Sequence, residues 1–361
     1  MSVKTSRRAV LASALAAAFV SRGANAQKLG KIEDDSILAR IPALPGDQAS
    51  WPASILSWAD IAGYCEAAGI EKPDSFADET MKVWIQIGQR IPMNDDTIFL
   101  FMNAPWADIV GFSPWDIDQV ALAGEPPEQL RIYSGRFDPE RIEQAFAQWN
   151  YSASVNGDFR VLVNPDDGLD PSRDLDRYAL GRFNHVGVTE SLVIASRSAD
   201  ILAAAIDVAS NDAESIADSD LFADVAKAID GMHGFMLLNG SLLGSPIVNP
   251  GAFSDGETIP PARLLLGGIT ANKDGQETTL IADLGDPADA EAAVPVVQER
   301  IETLTSPISK RPFTEDLADY EVDTPKGTGL VRVTVPNDTF AMRWMKHIVV
   351  GDLLFLATQT S

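Results

Sequence analysis

The sequence predicts an α+β protein of two tandem, weakly similar units, each a mostly antiparallel sheet with helices packed on it. Three observations carry that reading. Short apolar or alternating runs are separated by polar turns, as in LLLGGITANKDGQETTLIADLG, where Lys273-Asp274-Gly275 reads as a hairpin turn. An Asp-Pro pair stands twice between a strand-like run and an amphipathic run, at Asp138-Pro139 and Asp286-Pro287. The order of such runs then repeats along the chain, which is the mark of a duplicated unit.

The chain opens on an address. Residues 1–8 carry Lys4, Arg7 and Arg8 and no acid, residues 9–20 (AVLASALAAAFV) are apolar and uncharged, and Ala24-Asn25-Ala26 is a small-x-small cleavage site. These are the three regions of a secretory signal peptide over residues 1–26, with the mature chain starting at Gln27. The apolar run is too short to span a bilayer. Ser6-Arg7-Arg8-Ala9-Val10-Leu11 resembles the twin-arginine export signal: it matches the arginine pair, the serine before it and Leu11, with Val10 in place of the family's Phe and without its Lys. That resemblance implies a bacterial or archaeal source, folding before export and a place in the periplasm or outside the cell. The alternative is a general secretory signal that contains two arginines.

Residues 27–76 read as a linker and an N-terminal helix. The stretch RIPALPGDQASWPAS has turn formers and weak periodicity. Over 55–69, Ile55, Trp58, Ile61, Ala62 and Cys65 recur at helical spacing, with Gly69 as the stop. Cys65 lies on the apolar stripe and reads as a buried thiol rather than a nucleophile.

The first unit is expected over 77–215 and the second over 216–361. Each begins with a helix, ADETMKVWIQIGQRI and DLFADVAKAID, and continues with a strand, TIFLFMNAP (97–105) and GFMLLNGSL (234–242). Next come LRIYSGRF with DPERIEQAFAQW and TLIADLG with DPADAEAAVPVVQERIETL. In both, the Asp is placed to cap the helix N-terminus and the Pro to occupy its first turn. A further strand follows in NGDFRVLVNP and GTGLVRVTVP. Finally HVGVTESLVIASRS (185–198) aligns on HIVVGDLLFLATQT (347–360), placing His185 on His347 and predicting a strand, a turn and a strand in each. Each sheet is expected to be covered on one face. The segment LRIYSGRF-DPERIEQAF with Tyr151 resembles one found in uncharacterised exported bacterial proteins; that resemblance implies no activity and no site residues.

Composition bounds the partners. With 28 Lys+Arg against 52 Asp+Glu the net charge is −24, which repels phosphates and disfavours nucleic acid and anionic lipid. After the signal no run of 18 uncharged apolar residues occurs, so no membrane span is expected. A single cysteine excludes an internal disulfide. Gly-x-Ser-x-Gly, the Walker loop, Gly-x-Gly-x-x-Gly after a strand and His-Glu-x-x-His are all missing, so the sequence singles out no catalytic and no cofactor-binding residue.

Two stretches remain. NPDDGLDPSRDLDR (164–177) gathers carboxylates around Gly168, and oxygen-only clusters are what calcium requires, making Asp166, Asp167 and Asp170 candidate ligands. The alternative is a solvated loop whose acids pair with Arg173 and Arg177. Trp106, Phe112 and Trp115 read either as core or lid packing or as an exposed aromatic grip on a ligand. The function expected is that of an exported, non-catalytic envelope protein that binds a partner protein or small ligand. The alternative is a carboxylate-based extracytoplasmic hydrolase, with or without calcium.

Overall fold

Ile55–Asp60 forms a strand (β1) rather than the start of a helix, and the rest of the sheet is built outward from it. A computed structural model describes residues 55–92, 106–124, 129–166, 168–210, 212–216, 220–245, 248, 258–336, 338, 347–348 and 350–358. The expected strand at 97–105 and the signal segment lie outside these residues.

The fold is α+β. After β1 come helices α1 (Ile61–Ala68), α2 (Asp78–Gly88) and α3 (Trp106–Val110), then strands β2 (Ile117–Ala123) and β3 (Leu130–Gly135). Helix α4 (Pro139–Ala147) leads to β4 (Ser152–Asn156) and β5 (Phe159–Val163). Then follow α5 (Asp174–Ala179), β6 (His185–Val188), β7 (Leu192–Ser196), α6 (Ala199–Ala209) and α7 (Asp220–Ala228). The remainder is β8 (Gly234–Asn239), α8 (Ser241–Gly244), β9 (Leu264–Asn272), β10 (Gly275–Asp283), α9 (Pro287–Thr303), α10 (Phe313–Asp316), β11 (Glu321–Asp323) and β12 (Leu330–Val335).

Among the described residues twelve strands make one sheet in the order β11-β12-β10-β9-β8-β1-β2-β3-β7-β6-β5-β4. Every ladder is antiparallel. Strands β1–β7 fill one side and β8–β12 the other, joined where Trp58 of β1 pairs with Phe235 of β8. The segment read as linker and helix thus supplies a central strand. Its helical spacing was misleading because a strand buried on both faces has no polar alternation to mark its period.

The two Asp-Pro signals hold. Asp138 accepts from the backbone N–H groups of Glu140 and Arg141, Asp286 accepts from that of Ala288, and each proline sits in the first turn. Each helix follows the third strand out from the seam, β3 on one side and β10 on the other.

Helices cover both faces, not one. Tyr133 and Leu280 belong to one apolar cluster with Ile142 and Phe146 of α4 and Val297 and Ile301 of α9. Their neighbours Ile132 and Ile281 belong to a second cluster with Ile201 and Ile206 of α6 and Val225 of α7. Successive strand residues point to opposite faces, so these are the two layers. Fully buried side chains such as Ile142 and Phe146 each contribute about 1.5–3 kcal/mol.

The C-terminal reading is corrected. His347 and Ile348 are helical and Leu354–Leu356 form a 3₁₀ turn against α9, where a strand pair was expected. His185 opens β6, so the two histidines occupy unlike positions. The segment from Leu353 to Ala357 is wholly buried, and an apolar run with no exposed face carries no period to distinguish helix from strand.

Candidate functional site

Titratable groups with shifted pKa values gather where β1 ends and β2 and β8 begin. Asp60 closes β1 and caps α1, its carboxylate accepting the Gly63 N–H at 2.9 Å. A Cβ on residue 63 would stand 2.3 Å from that carboxylate, so a side chain there would push the cap aside. His233 immediately precedes β8. Its carbonyl accepts the Asp60 N–H at 2.9 Å, and its ring Nδ1 accepts the Ala271 N–H at 3.0 Å. A ring that accepts at Nδ1 carries its proton on Nε2 and is neutral.

Burial sets the charges here. It raises the Asp60 carboxyl above the ordinary range, opposed by the Gly63 hydrogen bond, by His233 once that ring is protonated and by the Lys72 charge, and reinforced by Asp118. Burial lowers His233, and the Asp60 charge partly restores it. The Cys65 thiol is pushed up to about 11, chiefly by burial, which agrees with an unreactive packed side chain. Lys72, with 17% of its side chain exposed, forms an ion pair with Asp118 at 2.6 Å.

Outside Lys72 lies an open hollow of about 360 Å³ lined by Lys72, Pro73, Asp74, Trp115, Asp116 and Arg136. Trp115 is half-buried, held edge-on by Phe76 at 5.5 Å between ring centres. Asp116 accepts the Ser113 N–H at 2.7 Å, and the Arg136 side chain is exposed. The hollow therefore offers an indole, two cations and two carboxylates to a small molecule. Trp106 and Phe112 are core instead, 2% and 1% exposed and in edge contact with each other.

The acidic loop is arranged otherwise than as a cage. Asp166 is exposed and its N–H donates to the Asn164 side chain, while Asp167 lies outside the described residues. Asp170 accepts from both the N–H and the hydroxyl of Ser172, and these bonds hold its carboxyl below the usual range. Arg173 lies 3.0 Å from buried Asp176 and 3.6 Å from Asp170, and Arg177 pairs with Asp174. Among the described residues no group of three or more His, Cys, Asp or Glu is placed to hold a metal.

Ser306, His347 and Asp352 also meet, all fully buried. The Ser306 hydroxyl lies 2.8 and 2.9 Å from the two Asp352 carboxylate oxygens, and His347 Nδ1 is 2.7 Å from the Asp352 backbone carbonyl. The residue types suit nucleophilic catalysis, but the connectivity does not. The hydroxyl bonds the carboxylate, and Nδ1 donates to a carbonyl, so this ring nitrogen cannot take the hydroxyl proton. The cluster ties the C-terminal segment to the loop after α9.

Sequence reasoning missed Asp60, Lys72, Asp118, Arg136 and His233. The one local signal was Asp60 ahead of Gly63, a helix-capping carboxylate hidden inside the assumed helix. No family model matches the chain, and no curated protein matches it. Among solved structures the chain is similar to TP0453 in its crystal form III, with a TM-score of 0.41, 11% identity, and coverage of 89% of this chain and 100% of that one. Crystal form I of TP0453 is similar with a TM-score of 0.41, 11% identity, and coverage of 91% and 100%. Among the described residues no helix is long and apolar enough to cross a membrane.

Proposed function

We propose that the chain is an exported, non-catalytic protein of the cell envelope that binds a partner protein or a small ligand, and that the hollow over Lys72 is its small-ligand site. One observation carries the reading: Trp115 stands beside Arg136 and Lys72 in an open hollow. An aromatic face next to fixed charges holds a flat polar molecule by stacking and charge-assisted hydrogen bonds. The arginine pair at Arg7-Arg8 and the acidic composition support export.

The raised carboxyl of Asp60 favours a second reading, a carboxylate-based hydrolase. Against it, Nδ1 of the adjacent His233 already accepts a backbone N–H and so is closed to protons. Calorimetric titration with L-phenylalanine, benzoate and benzylamine separates the readings, since the three share a ring and differ in charge. Saturable binding of the zwitterion or the anion is expected, lost in Trp115→Ala and weakened about tenfold in Arg136→Ala, a change equal to ~1.4 kcal/mol. No heat from any of the three removes the hollow as a ligand site. Export is tested by the N-terminus of the protein recovered from the envelope, expected at Gln27.

A further inference from the structure

We propose that the outer edge of β4 is a strand-addition site for an extended, basic segment of a partner protein. This gives the partner half of the preceding reading a surface and a chemistry. It uses no residue of the Lys72 hollow, so either site can fail alone.

The edge itself is the first observation. Among the described residues β4 ends the sheet, pairing with β5 from Ser152↔Val163 to Asn156↔Phe159 and with no other strand. Four of its five residues are exposed and Asn156 is half-buried, so neither face of the strand is covered. Val155 is 77% exposed, more than any other large apolar side chain among the described residues. The strand, Ser-Ala-Ser-Val-Asn, has no charge, no proline and no bulge, the devices by which proteins blunt a sheet edge.

The backbone geometry follows from the turn. Gly157-Asp158 is a two-residue hairpin loop with Gly157 at φ 57°. Asn156 and Phe159 flank it and form the first hydrogen-bonded pair. Antiparallel alternation then turns Ser154 and Ser152 toward β5 and leaves the N–H and C=O of Ala153 and Val155 pointing outward. The Ser154 and Ser152 hydroxyls also donate to β5, to the carbonyls of Val161 and Val163. An added strand would find two donors and two acceptors at the spacing of a ladder, the geometry of peptide capture by β-augmentation.

Charge selects the occupant. At the turn end stand Asp158 and Glu190, which line a hollow of about 410 Å³ with Arg160, whose guanidinium is already paired with Glu143 at 2.5 Å and Glu140 at 3.4 Å. At the other end Asp166 lies three residues past Val163, the partner of Ser152, and Asp170 follows it; both are exposed. Asp158 thus makes the turn end of this uncharged, roughly 17 Å strand acidic, and the loop after β5 adds the exposed carboxylates of Asp166 and Asp170, the latter beside Arg173, which donates to the Trp149 carbonyl just ahead of β4. A segment with lysine or arginine on both sides of a few β-formers meets Asp158 at one end and the loop carboxylates toward the other, and the −24 chain attracts it from a distance. A second copy of this chain would bring the same acids against themselves.

The test is fluorescence polarisation of the mature protein with a labelled peptide that has alternating valine and threonine between paired lysines. Two control peptides carry a central proline or glutamates in place of the lysines. The basic peptide is expected to bind and to weaken with salt. The proline peptide should bind at least tenfold more weakly, and the glutamate peptide not at all. Val155→Pro removes one outward N–H and should cost a similar factor. If that variant misfolds by circular dichroism, the proline peptide on wild type makes the same cut from the other side. Asp158→Asn with Asp166→Asn should flatten the salt dependence. Equal binding of the basic and proline peptides would reduce the effect to charge alone and overturn strand addition. A wild-type dimer in sedimentation that Val155→Pro dissolves would overturn the occupant in favour of a second copy.

Discussion

The two ends of the sheet are built by the same pairing and finished differently. At one end β11 has only three residues; Glu321 and Asp323 are exposed, and Val322 is buried. Asp323 is held by Arg332 at 2.6 Å. Behind this edge α9 packs on β11 and β12, and the C-terminal segment packs on α9. At the other end β4 is longer, uncharged and exposed. Antiparallel hydrogen bonding is common to both, so it cannot be what separates them. The difference lies in where the polar side chains go. At the β11 end Ser306, His347 and Asp352 turn inward and fasten the cover. Near the β4 end Asp166 and Asp170 face water. One edge is short, charged and backed by a helix, and the other is longer, uncharged and exposed.

The largest expected effect tests the closed end. Asp352→Ala leaves the buried Ser306 hydroxyl without the carboxylate that holds it. Losing a buried hydrogen bond to a carboxylate costs about 3 kcal/mol. Val155→Ala at the open end should change stability by less than ~0.5 kcal/mol. Urea unfolding of both variants checks the contrast. Similar losses in the two would mean that the ends differ in appearance only.

How much of this was legible in the sequence depends on whether a residue's role is local. Asp138-Pro139 and Asp286-Pro287 act within one helical turn, and both capped helices stand where the sequence put them. Lys273 and Asp274 likewise sit between the paired residues Asn272 and Gly275 that end β9 and begin β10. Ile55–Asp60 reads as helix in the sequence because its neighbours on both sides are distant strands, and nothing in six residues says which strands will flank them. The continuous apolar runs of β6 and β7, buried throughout, did signal cover on both faces, the rule that a one-face expectation overlooked. Asp60, Lys72 and His233 became a cluster only when β1 paired with β8. No spacing in a linear chain announces that.

That seam is the place for the next test. Asp60→Asn keeps a good helix cap, since Asn and Asp cap equally well. It removes a carboxylate whose folded pKa is raised by burial. Such a group contributes stability below its unfolded value of 3.8, and the contribution is lost as pH rises through the raised value. The variant should therefore be as stable as wild type at pH 7 or up to ~1 kcal/mol more so, with the gain vanishing in acid. His233 has the opposite sign. Its folded pKa is lowered, so its contribution is complete above 6.5 and is lost as pH falls below that value. Without the Asp60 charge its pKa should fall further, which an NMR titration of the imidazole reads directly. A drop in stability at pH 7 would show that the carboxylate's charge, not its shape, holds the two halves' strand ends together.

The smallest effect is expected in the acidic loop near the open end. Asp170 is engaged by Ser172 and Arg173, and Asp174 by Arg177, so these carboxylates already have partners that compete with a cation. The Arg177–Asp174 pair is exposed on both sides, and Arg177→Ala should cost less than ~0.5 kcal/mol. Thermal midpoints in calcium and in chelator should agree within about 1 °C. A site of millimolar affinity at ten times its dissociation constant would add about 1.4 kcal/mol. For a chain of this size that is a rise of at least about 2 °C. Such a rise, absent from an Asp166→Asn, Asp170→Asn variant, would mean that an ion fastens this end as Ser306 and Asp352 fasten the other. It would also neutralise the loop carboxylates near β4, and calcium would then weaken capture of a basic strand. The midpoint measurement and the peptide titration, each run with and without calcium, must therefore move together or not at all.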